Sequence, residues 1–573
     1  MITNLKTIGT YAKKIFKAFL YVLRGDLKGL YWKIKKLIKA NRDLTALTRT
    51  VEKTGVDEWG VISTPHTLFI AHLITERLRA HGWRVEVMTS TPNVFSHGWY
   101  IVLCPQIFKK LPPGEKRIVF QLEQSVSTRW FTESYFHLLE TSEAVLEYSL
   151  ENINYLKNKS QHSLGYPLIN YVPIGASETY GNSTIDNNHD NKSEEYDILF
   201  YGDSKSSQRR RTMLEALEKN YKLLIVNELF GPDMIQVIKQ AKFVINIHYY
   251  EGALLELPRI QECLSLGVPV ISEASKDQND YPELQGAVLF FEEGSTNDML
   301  SVVKNAFDHP ISQESIKNSV KKSSDRFTFM FDRFLIGMGF LDPSYVKTMK
   351  LLLPQGADNI VLSLPETIER RRLFQEEILN TDQFIFDGIR RLPGWIGCGL
   401  SYLALANNAL KQNQEVLTIM EDDVTFPPNF QENLKIVHEY LHIHAGQWDM
   451  FSGLISSLNP ETQISSVEHF KGLTFITIDK MTSTVFNIYG PKLLKLLACW
   501  DPTNSDVISN TIDRYIEKQS GLKIIITLPF MVGHHEELDS SLWGFKNTQY
   551  NEMISLSEQS LRDKMMAYQE NFQ

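Results

Sequence analysis

Cysteine is scarce and scattered in this chain of 573 residues. Cys104, Cys263, Cys398 and Cys499 lie far apart, with no CxxC pair among them. That spacing indicates neither a zinc site nor a disulfide framework, and a reducing cytoplasm is the simplest compartment. Long apolar runs are missing as well. No stretch approaches the roughly 18 apolar residues of a membrane span. The opening residues lack the compact apolar run and small-residue cleavage site of a signal peptide. There is no internal repeat of solenoid length.

What is present belongs to a globular protein: 43% hydrophobic and 11% aromatic residues exclude a disordered chain. At about 150 residues per domain the length implies three or four units. Charge is unevenly spread. Residues 1–50 hold twelve Lys/Arg against two Asp, or +10, so the remainder carries −19 of the total −9. In KKIFKAFLYVLRGDLKGLYWKIKKLIK the lysines alternate with apolar residues at helical spacing. Such a basic amphipathic arm (residues 1–54) either lies on anionic lipid or packs on its own protein with a solvated basic face. The first alternative places a cytoplasmic protein at the inner face of the plasma membrane. No nucleic-acid partner is expected.

From about residue 56 strands and helices alternate. Gly60–Ser63, Arg84–Thr89, Tyr100–Cys104 and Arg117–Leu122 read as strands, and helical patterns follow through Lys157. The polar stretch 181-GNSTIDNNHDNKSEE-195 reads as a linker. A second alternation runs from the strand Asp197–Tyr201 to the strand Pro269–Ser272. The expected fold class is therefore α/β: two Rossmann-type halves, 55–180 and 196–340, with a ligand cleft at the carboxyl ends of their strands. A third α/β unit begins at Asn359 and runs to about residue 545, followed by a helical tail, 546–573.

The sharpest local feature is 416-VLTIMEDDVTFPPNF-430, where an apolar run ends in Glu421, Asp422 and Asp423. Three adjacent acids repel one another unless a cation sits among them, and carboxylate oxygens suit hard ions such as Mg²⁺ or Mn²⁺. The alternative is an acid cluster that caps a helix or is simply solvated. Around it lie 360-IVLSLPETIERR-371, 394-GWIGCGLSYLALANNAL-410 and 482-TSTVFNIYGPKLLKLL-497. In this order the segments resemble glycosyltransferase family 25, the lipooligosaccharide galactosyltransferase-like family. Where that family has Asn, Asp, an acidic residue and His, this chain has Ser363, Pro365, Trp395 and Tyr402.

That resemblance implies a GT-A-like fold over 358–545 and a DxD-like role for the acids. Asp423 would hold the metal, with Glu421 at the ribose or in the metal shell and Asp422 beside them. Arg370 or Arg371 would stand near the nucleotide. In 531-MVGHHEELDSSLWG-544, His534 or His535 is a candidate further metal ligand. Inverting sugar transfer needs a carboxylate to take the acceptor proton. Asp513 is the first candidate and Glu536 the second.

In the second half, 251-EGALLELPRIQECLSLGVPVIS-272 resembles the nucleotide-sugar-binding half of group-1-like GT-B glycosyltransferases. Glu262 would accept the ribose hydroxyls, and Arg259 would serve the phosphates. The family's partner Glu, eight residues earlier, is Leu254 here. A further phosphate candidate is 201-YGDSKSSQRRRTML-214, where Gly202 follows a strand and Lys205, Arg209 and Arg210 begin a helix. In the first half, Glu123 or His66 is a candidate base. Together these features imply a bifunctional transferase that uses nucleotide-sugar donors to extend a bacterial surface polysaccharide or lipid-linked oligosaccharide. Two alternatives stand beside it. One is a single active family-25-like unit with a GT-B-like binding module. The other is a glycan-binding scaffold without activity.

Overall fold

The computed structural model describes residues 57–127, 129–159, 168–181, 195–377, 383–538, 540 and 550–570. The basic arm and most of the polar linker lie outside these residues. Three sheets organise the chain. The first has six parallel strands in the order Arg84–Met88, Glu58–Ile62, Trp99–Leu103, Arg117–Gln121, Ala144–Glu147 and Ile169–Tyr171. Its inner strands are buried throughout, because helices cover both faces. Helical pattern is expected through Lys157, yet the strand Ala144–Glu147 interrupts it between helices Glu133–Glu140 and Leu150–Lys159. A three-residue apolar run, Ala144–Leu146, has no period that separates strand from helix.

The second sheet has five parallel strands, ordered Val288–Phe291, Val270–Glu273, Ala241–Asn246, Tyr196–Tyr201 and Leu223–Val226. The third is mixed and eight-stranded. Asn359–Ser363 pairs in parallel with Phe384–Asp387 and Leu417–Glu421. Leu417–Glu421 then pairs antiparallel with Phe486–Tyr489, beyond which lie Met450–Ser452, Ile524–Leu528, Leu473–Ile478 and Ile464–Phe470.

One helix, Gln313–Met338, ties the three sheets together. Ser323 accepts from Gln261 Nε2 (3.1 Å), and Arg326 Nη1 pairs with Glu283 (2.9 Å), both in the second unit. Asp332 accepts from Arg77 Nε (2.7 Å) and lies 2.8 Å from His81 Nε2, both in the first. Arg333 makes a fork-shaped pair with Glu366 of the third (2.7 and 2.8 Å), and both side chains are only 1% exposed. Glu366 also accepts from the backbone N–H of Tyr171 (2.9 Å), which fixes the third unit to the first. Removing one partner of so buried a pair costs about 3–5 kcal/mol, since the other charge is stranded.

Candidate active site

The strand Leu417–Glu421 is buried up to Met420 and emerges at Glu421. The chain then turns through Asp422 and Asp423 into a two-residue strand, Val424–Thr425, which pairs antiparallel with Gly533–His534. This short ladder brings His534, more than a hundred residues away, beside the acids: its Nε2 lies 3.2 Å from Asp423 Oδ2. Behind the strand end runs the glycine-rich helix Gly394–Lys411. A Cβ on Gly397 would stand 2.5 Å from the Ile389 carbonyl, so only glycine lets this helix approach so closely.

The three acids have different roles. Asp422 is buried and saturated: Arg370 Nε (2.9 Å) and Ser363 Oγ (2.7 Å) both donate to it. It anchors Arg370. Asp423 shares the same guanidinium (Oδ2 to Nη2, 2.8 Å), while its buried Oδ1 has no hydrogen-bond partner among the described residues. Burial opposes the Asp423 charge, but Arg370 and His534 hold its carboxyl well below the usual range. Burial and then the neighbouring Asp423 push Glu421 up to about 7. Burial works against a charged His534, yet the Asp423 carboxylate raises its pKa.

These groups line a pocket of about 600 Å³ with Asp513, Thr484, Trp395 and Tyr550. Asp513 stands in the first turn of the helix Ile512–Glu517. Glu536 does not line the pocket and accepts from the Asn551 backbone N–H (3.4 Å). His535 also turns away, its Nε2 2.9 Å from Glu377 and its Nδ1 2.6 Å from Glu537. Arg371 is spent on Asp387 (2.6 Å) and the Ser363 carbonyl (3.1 Å), where it stitches two strand ends together. Thr484 lies within the segment 482–497 but carried no signal of its own, and Tyr550 had none. Thr484 hydrogen-bonds Glu421, and the Tyr550 ring stacks on His534 at 4.8 Å.

Among the described residues no set of three His, Cys, Asp or Glu side chains is disposed to chelate a metal. The pocket nevertheless has an orphaned Asp423 Oδ1 and a Glu421 that burial drives toward the protonated form. That pair suits a divalent cation completed by ligand oxygens, rather than one enclosed by protein.

A second cleft, about 840 Å³, opens between the two parallel sheets. Pro65, His66, Phe69 and Gln124 line it from the first half, and Gly202, Lys205, Arg259 and Glu262 from the second. Gly202 has φ of +124° and packs against Arg259. The Arg259 guanidinium lies over the Tyr201 ring (4.9 Å), donates to Asn246 Oδ1 (2.6 Å) and pairs with Glu256 (2.8 Å). Of the expected phosphate set Gly202, Lys205 and Arg259 face this space, and Arg209 and Arg210 do not line it. Arg209 is drawn to the buried Glu273, and Arg210 to Glu256 (3.2 Å) and the Ile247 carbonyl (2.9 Å). Without Arg209 the buried Glu273 would lose its guanidinium partner. Glu262 accepts from Tyr180 Oη (2.8 Å) and Tyr201 Oη (3.4 Å), and burial raises its pKa. Glu123 does not line the cleft and is bonded by Gln106.

The molecule thus combines two Rossmann-type units around a cleft with a mixed α/β unit that carries an acid–imidazole pocket. Residues 393–487 match the family model for glycosyltransferase family 25 (LPS biosynthesis protein). The matched span includes all three acids and Thr484, and ends before Asp513 and His534. No curated protein matches the chain. Among solved structures, sucrose-phosphate synthase from Thermosynechococcus elongatus is 11% identical over 49% of this chain and 98% of its own, with a TM-score of 0.34. Anabaena HepE in complex with UDP and glucose gives the same four values. WaaG, a glycosyltransferase involved in lipopolysaccharide biosynthesis, is 12% identical over 49% and 99%, also at 0.34. The family match supports glycosyltransferase activity of the kind used in lipopolysaccharide-type biosynthesis.

Proposed function

We propose that the chain is a bifunctional glycosyltransferase that transfers sugars from nucleotide-sugar donors to a growing bacterial surface glycan or lipid-linked oligosaccharide. Its divisions are a basic arm (1–54), two GT-B-like halves (55–180 and 196–340), a family-25-like GT-A unit (358–545) and a tail (546–573). The arm would hold both sites near the inner face of the membrane. Among the described residues no helix is long and apolar enough to cross one.

The observation that carries this reading is the pocket of Glu421, Asp423 and His534 with Asp513 on its wall. Glu421 and Asp423, with His534 behind Asp423, would hold Mn²⁺ or Mg²⁺, which supplies charge stabilisation for a departing diphosphate. Asp513 takes the acceptor hydroxyl proton as the sugar carbon is attacked. Asp422 and Arg371 keep Arg370 and the strand ends in place. Nucleotide release from a donor panel, with and without Mn²⁺ and EDTA, tests this. Asp423→Ala should abolish the chelator-sensitive activity, and release indifferent to both chelator and substitution would sink the metal-dependent assignment.

One observation favours the alternative in which the cleft only binds. At Leu254, where the GT-B pattern has its partner Glu, the backbone is clasped by the Gln124 side chain (3.0 and 3.1 Å), which pins the halves together.

A further inference from the structure

We propose that Tyr550, on the tail helix beyond the family-25-like unit, is the positioning residue that sets the His534 imidazole against Asp423. This rests on the reading of the acid pocket as a cation and diphosphate site.

The ladder of Val424–Thr425 with Gly533–His534 fixes the backbone of His534 and leaves its ring to be set by neighbours. One ring nitrogen is accounted for: Nε2 lies 3.2 Å from Asp423 Oδ2. A single contact at Nε2 does not fix the turn of the ring about its Cβ–Cγ bond, a torsion with broad wells. An imidazole that serves a cation site is ordinarily held by a hydrogen bond at its other nitrogen, to a carboxylate or a carbonyl. His534 lacks that bond: its buried Nδ1 has no hydrogen-bond partner among the described residues. What lies against the ring instead is the face of Tyr550. The two rings stack with 4.8 Å between centroids and 17° between planes. Stacking of the two faces favours this ring plane over others.

Tyr550 can act in this way because it is itself held. It is the first residue of the helix Tyr550–Glu570, whose Leu561 is fully buried. Three contacts tie that helix to the third unit. Ser557 Oγ accepts from the Leu458 N–H (3.1 Å), Lys564 Nζ donates to the Pro460 carbonyl (2.8 Å), and Tyr568 Oη donates to the Ser465 carbonyl (2.9 Å). At the helix start Glu536, two residues after His534, accepts from the Asn551 N–H (3.4 Å), which keeps the segments that carry the two rings together. Tyr550 also lines the pocket with Glu421, Asp423 and Asp513. The role belongs to the ring face and not to the hydroxyl. The acids of the third unit therefore depend on a helix that lies outside the span resembling family 25.

The test uses the full chain and the variants Tyr550→Phe, Tyr550→Leu and Tyr550→Ala. Leucine keeps apolar bulk at the helix start but has no flat face. The His534 ring proton, identified by its loss in His534→Gln, is followed by NMR on the metal-free chain labelled at its histidines. Stacking shifts this signal upfield. It should stay there in Tyr550→Phe and move downfield in Tyr550→Leu and Tyr550→Ala. Mn²⁺ binding, alone and with UDP, is read by electron paramagnetic resonance. It should weaken roughly 10–100-fold in Tyr550→Leu and Tyr550→Ala and be kept in Tyr550→Phe. Three results overturn the positioning role: undiminished Mn²⁺ affinity in Tyr550→Leu, a loss in Tyr550→Phe equal to that in Tyr550→Ala, or loss of helix by far-UV circular dichroism in Tyr550→Leu. If Asp423→Ala still abolishes Mn²⁺ binding, the reading of the pocket survives any of them. Mn²⁺ binding that Asp423→Ala leaves untouched, or no Mn²⁺ binding at all, overturns the cation reading and this inference with it.

Discussion

Glu421, Asp422 and Asp423 are consecutive, yet their surroundings give them opposite tendencies. Glu421 is pushed up to about 7, while Asp423 is held down by Arg370 and His534. A carboxylate with a raised folded-state pKa favours folding below its unfolded pKa, and that advantage is lost as pH rises through its folded value. His534, also raised, gives stability that is full below its ordinary pKa and lost as pH rises through the folded one. The Glu421 contribution falls as pH rises from about 4.5 to about 7, and the His534 contribution only as pH rises above about 6.5. A bound divalent cation competes with these protons and should gain affinity over the same range. Thermal unfolding of the metal-free chain should therefore lose midpoint temperature from pH 5 to pH 8. Added Mn²⁺ should restore more at pH 8 than at pH 5, and Glu421→Gln should flatten the slope. Equal Mn²⁺ shifts at both values would count against the cation being held by these groups.

At the scale of elements, the sequence was most readable where its period was sustained. The alternation in 197–272 maps onto the second sheet with ends shifted by one or two residues, because continuous apolar strands and capped helices each carry their own signal. The strand end at Glu421 was legible from the abrupt change from apolar to acidic. The ladder that delivers His534 was not, since a two-residue strand has no period, and the sequence does not tell His534, its last residue, from His535, which follows it. Nor could the sequence tell that Arg209 and Arg210 are spent on buried acids, because Glu273 and Glu256 come near them only after the second sheet is wound. The ladder makes its own prediction. A Cβ at Gly533 would lie 2.4 Å from Thr425 Oγ1, so Gly533→Ala should prise the ladder apart. Transfer by the third unit should drop at least tenfold, about 1.4 kcal/mol in the barrier, with far-UV circular dichroism unchanged. Full activity in this variant would mean that His534 need not stand beside Asp423.

The whole molecule is more continuous than a reading of separate units suggests. Buried residues of all three sheets form one connected core around the helix Gln313–Met338, and Glu366 stands just before the helix Ile368–Glu377 that carries Arg370. That connection was hidden because Arg333 and Glu366 look like ordinary surface charges in sequence. The central claim is two transfer sites in one chain. Its most direct test compares products from the full chain, Asp423→Ala, Arg259→Ala and the double variant, each supplied with isotopically labelled donors and a lipid-linked glycan extract. The account predicts two separable additions. The chelator-sensitive one should be lost in Asp423→Ala, the other should be reduced at least tenfold in Arg259→Ala, and the double variant should lack both. A single product that disappears in Asp423→Ala and is untouched by Arg259→Ala would contradict it.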